Sequence, residues 1–80
     1  MRTEKIRDIL LRFGRLTVEP GALADTTDLF EVGLTSLTTV QVMLALEDAF
    51  DVEFPQNMLS RRHFQSIDTI DASLAEILGE

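Results

Sequence analysis

Asp28-Leu29-Phe30-Glu31-Val32-Gly33-Leu34-Thr35-Ser36-Leu37 runs straight into Thr38-Thr39-Val40-Gln41-Val42-Met43-Leu44-Ala45-Leu46-Glu47-Asp48-Ala49-Phe50. Ser36 stands directly before Leu37, as a helix N-cap should, and the apolar spacing beyond it carries a helix to about Phe50. Asp51 and the approach to Pro55 end that helix. Upstream, Val18 to Leu34 contains Pro20, Gly21, Gly33 and the polar run Asp25-Thr26-Thr27-Asp28, and reads as one long loop with a turn at Asp28 to Glu31. Loops of this length in small domains are uncommon and usually functional. Within it, Phe30 is placed to anchor the chain in the core and Gly33 to permit a tight turn.

The flanks are helical. Ile6, Ile9, Leu10 and Phe13 follow the i, i+3, i+4, i+7 template, which predicts a helix over Thr3 to Arg15 weakened at its end by Gly14. Pro55 can open a short third helix through Ser60. Ser66 caps a last helix whose Ile67, Ile70, Leu74, Ile77 and Leu78 keep helical spacing until Gly79. No segment alternates with period two over a useful length. The expectation is an all-α fold, a small four-helix bundle of three long helices and one short one, in a single domain spanning residues 1–80.

The second helix carries more apolar surface than one core face needs. Val42, Met43, Leu46 and Phe50 form one stripe. Leu37, Val40 and Leu44 form another, centred roughly 140° away at 100° per residue. Either the helix is buried on two sides, or the second stripe is an exposed docking patch beginning one residue after Ser36. Residue types alone do not separate the two.

Composition narrows the function. The 80 residues carry 14 Asp and Glu against 7 Lys and Arg, a net charge of −7, and no cysteine. There is no disulfide framework, thiolate nucleophile or cysteine-held zinc, and a cytoplasmic location is expected. From Leu16 to Ser60 there is no Lys or Arg at all. Such a stretch makes a poor nucleic-acid surface and favours encounter with basic protein surfaces. Charge interrupts the first fifteen residues, and the longest charge-free run falls short of the ~20 apolar residues a membrane span needs. Neither a nucleic acid nor a membrane is expected as a partner, and a monomer is.

Few residues could do chemistry. His63 is the only histidine, beside Arg61 and Arg62, and reads as a solvated or helix-end residue. Nucleophilic catalysis needs a base and a group to orient it, and one lone histidine is a poor start. Asp25, Asp28 and Glu31 lack calcium-loop spacing, no other metal-ligand motif is present, and there is no glycine-rich phosphate loop. The chain is expected not to be an enzyme. Ser36 by itself reads as a cap worth about 1 kcal/mol. A helix start is also a favourable place for an attached phosphate, because free N–H groups and the helix dipole favour an anion there.

The D-x-F-x-x-G-x-x-S-L pattern at Asp28, Phe30, Gly33, Ser36 and Leu37, followed by Val40 to Phe50 and by Asp51-Val52-Glu53-Phe54-Pro55, resembles the acyl carrier and peptidyl carrier protein family over nearly the whole chain. The resemblance implies that Ser36 receives 4′-phosphopantetheine from coenzyme A through a separate phosphopantetheinyl transferase. The prosthetic thiol then carries an acyl or aminoacyl group as a thioester between partner enzymes. Fatty-acid carriers commonly have aspartate where Thr35 stands, acidic residues at Thr38 and Gln41, and an acidic stretch where Arg61-Arg62-His63 stands. With these departures the chain is most similar to stand-alone aminoacyl carrier proteins. That likeness implies an ATP-dependent amino-acid or acyl ligase as partner, and a downstream acyltransferase or synthase. Expected partner contacts are Leu37, Thr38, Val40, Gln41 and Leu44, with Glu47 and Asp48 on the rim and Arg61 and Arg62 beyond it. The alternatives are an unmodified helical interaction module and a fatty-acid or polyketide-type carrier.

Overall fold

The computed structural model describes residues 1–80. Three α-helices, α1 (Arg2–Phe13), α2 (Ser36–Phe50) and α3 (Ile67–Leu78), are joined by connections containing single 3₁₀ turns at Pro20–Ala22, Leu29–Val32, Gln56–Met58 and Arg61–Phe64. The all-α expectation holds, but the bundle has three helices and not four. The stretch from Pro55 through Ser60, expected as a short helix, closes only i→i+3 bonds, Met58 N–H to the Pro55 carbonyl at 2.9 Å and Leu59 N–H to Gln56 at 3.2 Å. Ser60 then adopts extended backbone (φ −106°, ψ 159°) and breaks the coil before Arg61–Phe64. No side chain caps this turn at its start, and with Ser60 extended no following helical turn continues it, so it stays a single 3₁₀ turn.

α1 packs against both α2 and α3, and α3 also rests on the 61–64 turn. Ile6 and Leu10 of α1, Val42 and Leu46 of α2, and Ile67, Ile70 and Leu74 of α3 are fully buried in one continuous core. Phe54, Met58 and Phe64 from the second connection join that core, with the two phenylalanine rings 5.3 Å apart. α1 ends two residues earlier than its periodicity suggests, because the chain turns at Arg15, which takes a left-handed conformation (φ 53°).

The long loop is held at many points. Arg7 of α1 donates to the Leu23 carbonyl and to the Asp25 carboxylate. Thr17 N–H donates to Val32 at 2.8 Å, Leu29 N–H to Gln65 at 2.7 Å, and Asp68 N–H to Asp25 at 3.0 Å. Leu29, not Phe30, is the fully buried anchor; Phe30 packs against the core from a half-buried position. Gly33 has φ +115°, and a Cβ there would meet Thr17 N at 3.1 Å and the Arg15 carbonyl oxygen at 3.3 Å. Both facts demand glycine at the turn that delivers the chain to α2.

At the far end, Arg2 Nε donates to Asp71 Oδ1 at 2.6 Å and Nη1 to Glu80 Oε1 at 2.7 Å, fastening α1 to α3. The hydrogen bond to Asp71 and then that to Glu80 raise the Arg2 pKa above its ordinary value. No helix is long and apolar enough to cross a membrane.

Candidate functional site

Ser36 is exposed and is the first residue of α2, not its cap. The cap is Thr35, with extended backbone (φ −120°, ψ 172°). Thr38 N–H donates to Thr35 Oγ1 at 3.2 Å, and Thr35 N–H donates to Thr38 Oγ1 at 2.9 Å. Thr39 N–H donates to the Thr35 carbonyl at 2.8 Å and its hydroxyl to the same carbonyl at 2.6 Å. This corrects the expectation that Ser36 caps the helix. Both residues carry a suitable hydroxyl, and only the backbone angles decide which one serves.

The consequence is a serine hydroxyl with no hydrogen bond to any protein group, standing in solvent at a helix start. Deeper in the turn, the Thr38 N–H donates to the Thr35 hydroxyl and the Thr39 N–H to the Thr35 carbonyl. The N–H groups of Ser36 and Leu37 have no protein partner. An ester made on Ser36 Oγ would place its phosphate beside two free donors at the positive end of α2. The residues therefore fit a phosphate-linked group.

Beside Ser36 lies a cleft of about 520 Å³. Phe30 and Leu34 from the loop, Thr39 and Val40 from α2, and Leu59 and Arg61 from the second connection form its walls. The Arg61 guanidinium sits over the Phe30 ring, 4.3 Å from its centroid. A larger cleft of about 760 Å³ between α1 and α2, lined by Ile9, Phe13, Leu44 and Ala45 among others, does not include Ser36. The Ser36 cleft was not legible in the sequence, since two segments far apart in the chain, 30–40 and 59–64, meet to form it.

The two stripes of α2 resolve cleanly. Val42 and Leu46 are fully buried, with Met43 and Phe50 packed against the core. Leu37, Val40 and Leu44 keep 71%, 50% and 55% of their surfaces exposed. α1 and the loops cover one side of α2 only, so the apolar stripe starting beside Ser36 faces solvent. Leu59, also exposed, continues it across the cleft.

Gln41, Asp48, Arg61 and Arg62 are exposed. Two of the expected partner contacts are placed otherwise. Thr38 is 5% exposed, with its hydroxyl engaged by Thr35, so it serves the cap. Glu47 is half-buried, and its Oε2 accepts the Phe54 N–H at 2.9 Å, which ties the end of α2 to the following segment. His63 Nδ1 lies 2.7 Å from Ser60 Oγ and steadies the 61–64 turn.

Residues 4–74 match the family model described as a phosphopantetheine attachment site. The chain is 47% identical over 73 residues to an aminoacyl carrier protein of Agrobacterium fabrum, covering 91% of this chain and 88% of that one. It is 36% identical to aminoacyl carrier protein 1 of Bradyrhizobium diazoefficiens over 82% and 78% of the two chains. Its fold superposes with a TM-score of 0.91 and 43% identity on a chain from the crystal structure of engineered Bradyrhizobium japonicum glycine:[carrier protein] ligase complexed with carrier protein from Agrobacterium tumefaciens and ATP. That alignment covers 96% of this chain and all of the other. With an unengaged serine at the head of an outward-facing apolar helix, and with these relatives, the chain belongs to the family of non-catalytic carrier proteins defined by a phosphopantetheine attachment site.

Proposed function

We propose that Ser36 is the attachment point of 4′-phosphopantetheine, and that the modified protein carries an amino acid delivered by an ATP-dependent ligase. The observation that carries this reading is the division of labour at the start of α2: Thr35 caps, and Ser36 Oγ is left free and exposed. The arm, once attached, supplies a thiol on which cargo is held as a thioester. The chain's own residues contribute presentation. Thr35 and Thr38 hold the first turn rigid, Gly33 sets the approach of the loop, and the Ser36 and Leu37 N–H groups face the linkage.

Leu37, Val40 and Leu44 form the surface that partner enzymes read, with Gln41 and Asp48 at its edge. The partners are a phosphopantetheinyl transferase, the ligase, and an acyltransferase or synthase that takes the cargo. Relatedness to aminoacyl carrier proteins, and likeness to a carrier protein solved with an engineered glycine:[carrier protein] ligase, favour an amino acid over a fatty acyl chain. Glycine is therefore the first cargo to test. The need for coenzyme A and ATP in loading supports a cytoplasmic location.

The test is intact mass after incubation with coenzyme A and a broad-specificity transferase. One phosphopantetheine is gained by the wild type and none by Ser36→Ala. The modified protein then gains one amino acid with ligase, ATP and glycine. Failure of several transferases to modify a folded protein would overturn the reading.

A further inference from the structure

We propose that Arg61 is the protein's counter-cation for the phosphodiester of the prosthetic arm, held in place for that purpose by the face of Phe30. The inference rests on attachment at Ser36. It starts from charge. No Lys or Arg occurs between Leu16 and Ser60, so neither the loop before Ser36 nor the whole of α2 offers a cation to an anion fixed at the helix start. Among the residues lining the Ser36 cleft, Arg61 is the single charged one. Its guanidinium stacks over Phe30, 4.3 Å from the ring centroid, on a wall of that same cleft. Stacking on an aromatic face leaves the edge donors of a guanidinium free, and its planar fork suits phosphate oxygens. Cation–aromatic contact also limits the rotamers the side chain samples, so less freedom is lost when an anion arrives.

Arg62 is the internal control. It has the same charge, is also exposed and is one residue away, but it lines a separate cleft with His63 and Gln65 that does not include Ser36. Arg61→Gln and Arg62→Gln change net charge equally. Only the first removes a cation from the wall facing Ser36.

The experiment compares apo and modified forms of wild type, Arg61→Gln, Arg61→Lys and Arg62→Gln, each verified by intact mass. ³¹P NMR reads the phosphodiester directly, and thermal unfolding reads the Tm difference between modified and apo forms of each variant. Arg61→Gln moves the ³¹P resonance and removes an increment of roughly 1–4 °C from that Tm difference. Arg62→Gln leaves both as in wild type, Arg61→Lys falls between, and raised salt erases the wild-type increment. Referring each variant to its own apo form removes any loss due to the Phe30 contact alone. A ³¹P resonance unmoved by Arg61→Gln, or moved equally by Arg62→Gln, overturns the assignment of Arg61 while leaving attachment at Ser36 intact. A wild type that gains no phosphopantetheine overturns both.

Discussion

Thr35 and Thr38 bind one another reciprocally at the start of α2, each hydroxyl accepting the other's backbone N–H at 3.2 Å and 2.9 Å. Ser36 lies between them in sequence and takes no part. A hydroxyl needed for covalent modification is thereby relieved of a structural duty that the same residue type commonly performs.

The separation predicts that Ser36→Ala and Thr35→Ala differ. Ser36→Ala removes modification by coenzyme A and transferase while leaving Tm within about 1 °C of wild type, since no cap is lost. Thr35→Ala costs about 1 kcal/mol, or roughly 4–8 °C in a domain of this size, and leaves a modifiable serine. Thermal unfolding with intact mass checks both. Equal destabilisation by the two substitutions would mean that Ser36 is a cap after all.

Gly33→Ala is expected to destabilise by more than about 1 kcal/mol. The backbone sits at φ +115°, and the added Cβ would press on Thr17 N and the Arg15 carbonyl. Urea unfolding measures the loss. Because this turn sets the approach to Ser36, the variant should also be modified more slowly than wild type at a temperature where both remain folded.

The two stripes of α2 should respond oppositely. Leu44→Ser and Val40→Ser change exposed surface and leave stability within about 0.5 kcal/mol. They are predicted to lower kcat/KM for ligase loading about tenfold, the effect of losing roughly 1.4 kcal/mol of contact at an interface. Leu46→Ala, in the buried stripe, costs about 2–5 kcal/mol of folding stability. Steady-state loading beside denaturant unfolding separates these cases. Undiminished loading by both serine variants would remove the outer stripe from the partner surface.

The Arg2 clasp to Asp71 and Glu80 is partly exposed and therefore modest. Arg2→Gln should cost less than about 1 kcal/mol, and the cost should shrink in high salt. The Arg2 pKa is raised in the fold. Its contribution is thus fully present below the guanidinium's ordinary pKa and is lost only as pH climbs through the raised value. The wild-type advantage in Tm over Arg2→Gln should accordingly stay level from neutral to mildly alkaline buffer. A decline over that range would show that another group governs the clasp.

Local chemistry was enough to read much of this molecule. Helical spacing marked all three α-helices, Ser66 was identified as the cap of α3, and Gly33 as a turn residue. Ser36 emerged from the pattern running from Asp28 to Leu37. These features depend on neighbours within a few residues, where propensity and spacing carry the information. Other features were decided by packing between distant segments. Whether Leu37, Val40 and Leu44 are buried depends on what covers α2, and α1 with its loops covers only the opposite side. The stretch from Pro55 through Ser60 closes one 3₁₀ turn and not the expected helix, because Ser60 takes extended backbone where the chain carries first Met58 and then Phe64 into one core. The choice between Thr35 and Ser36 as cap turned on one pair of backbone angles, set by the loop pinned through Leu29 and Gly33. The meeting of Arg61 with Phe30 beside Ser36 needed the whole fold, since residues thirty-one positions apart have no local reason to touch.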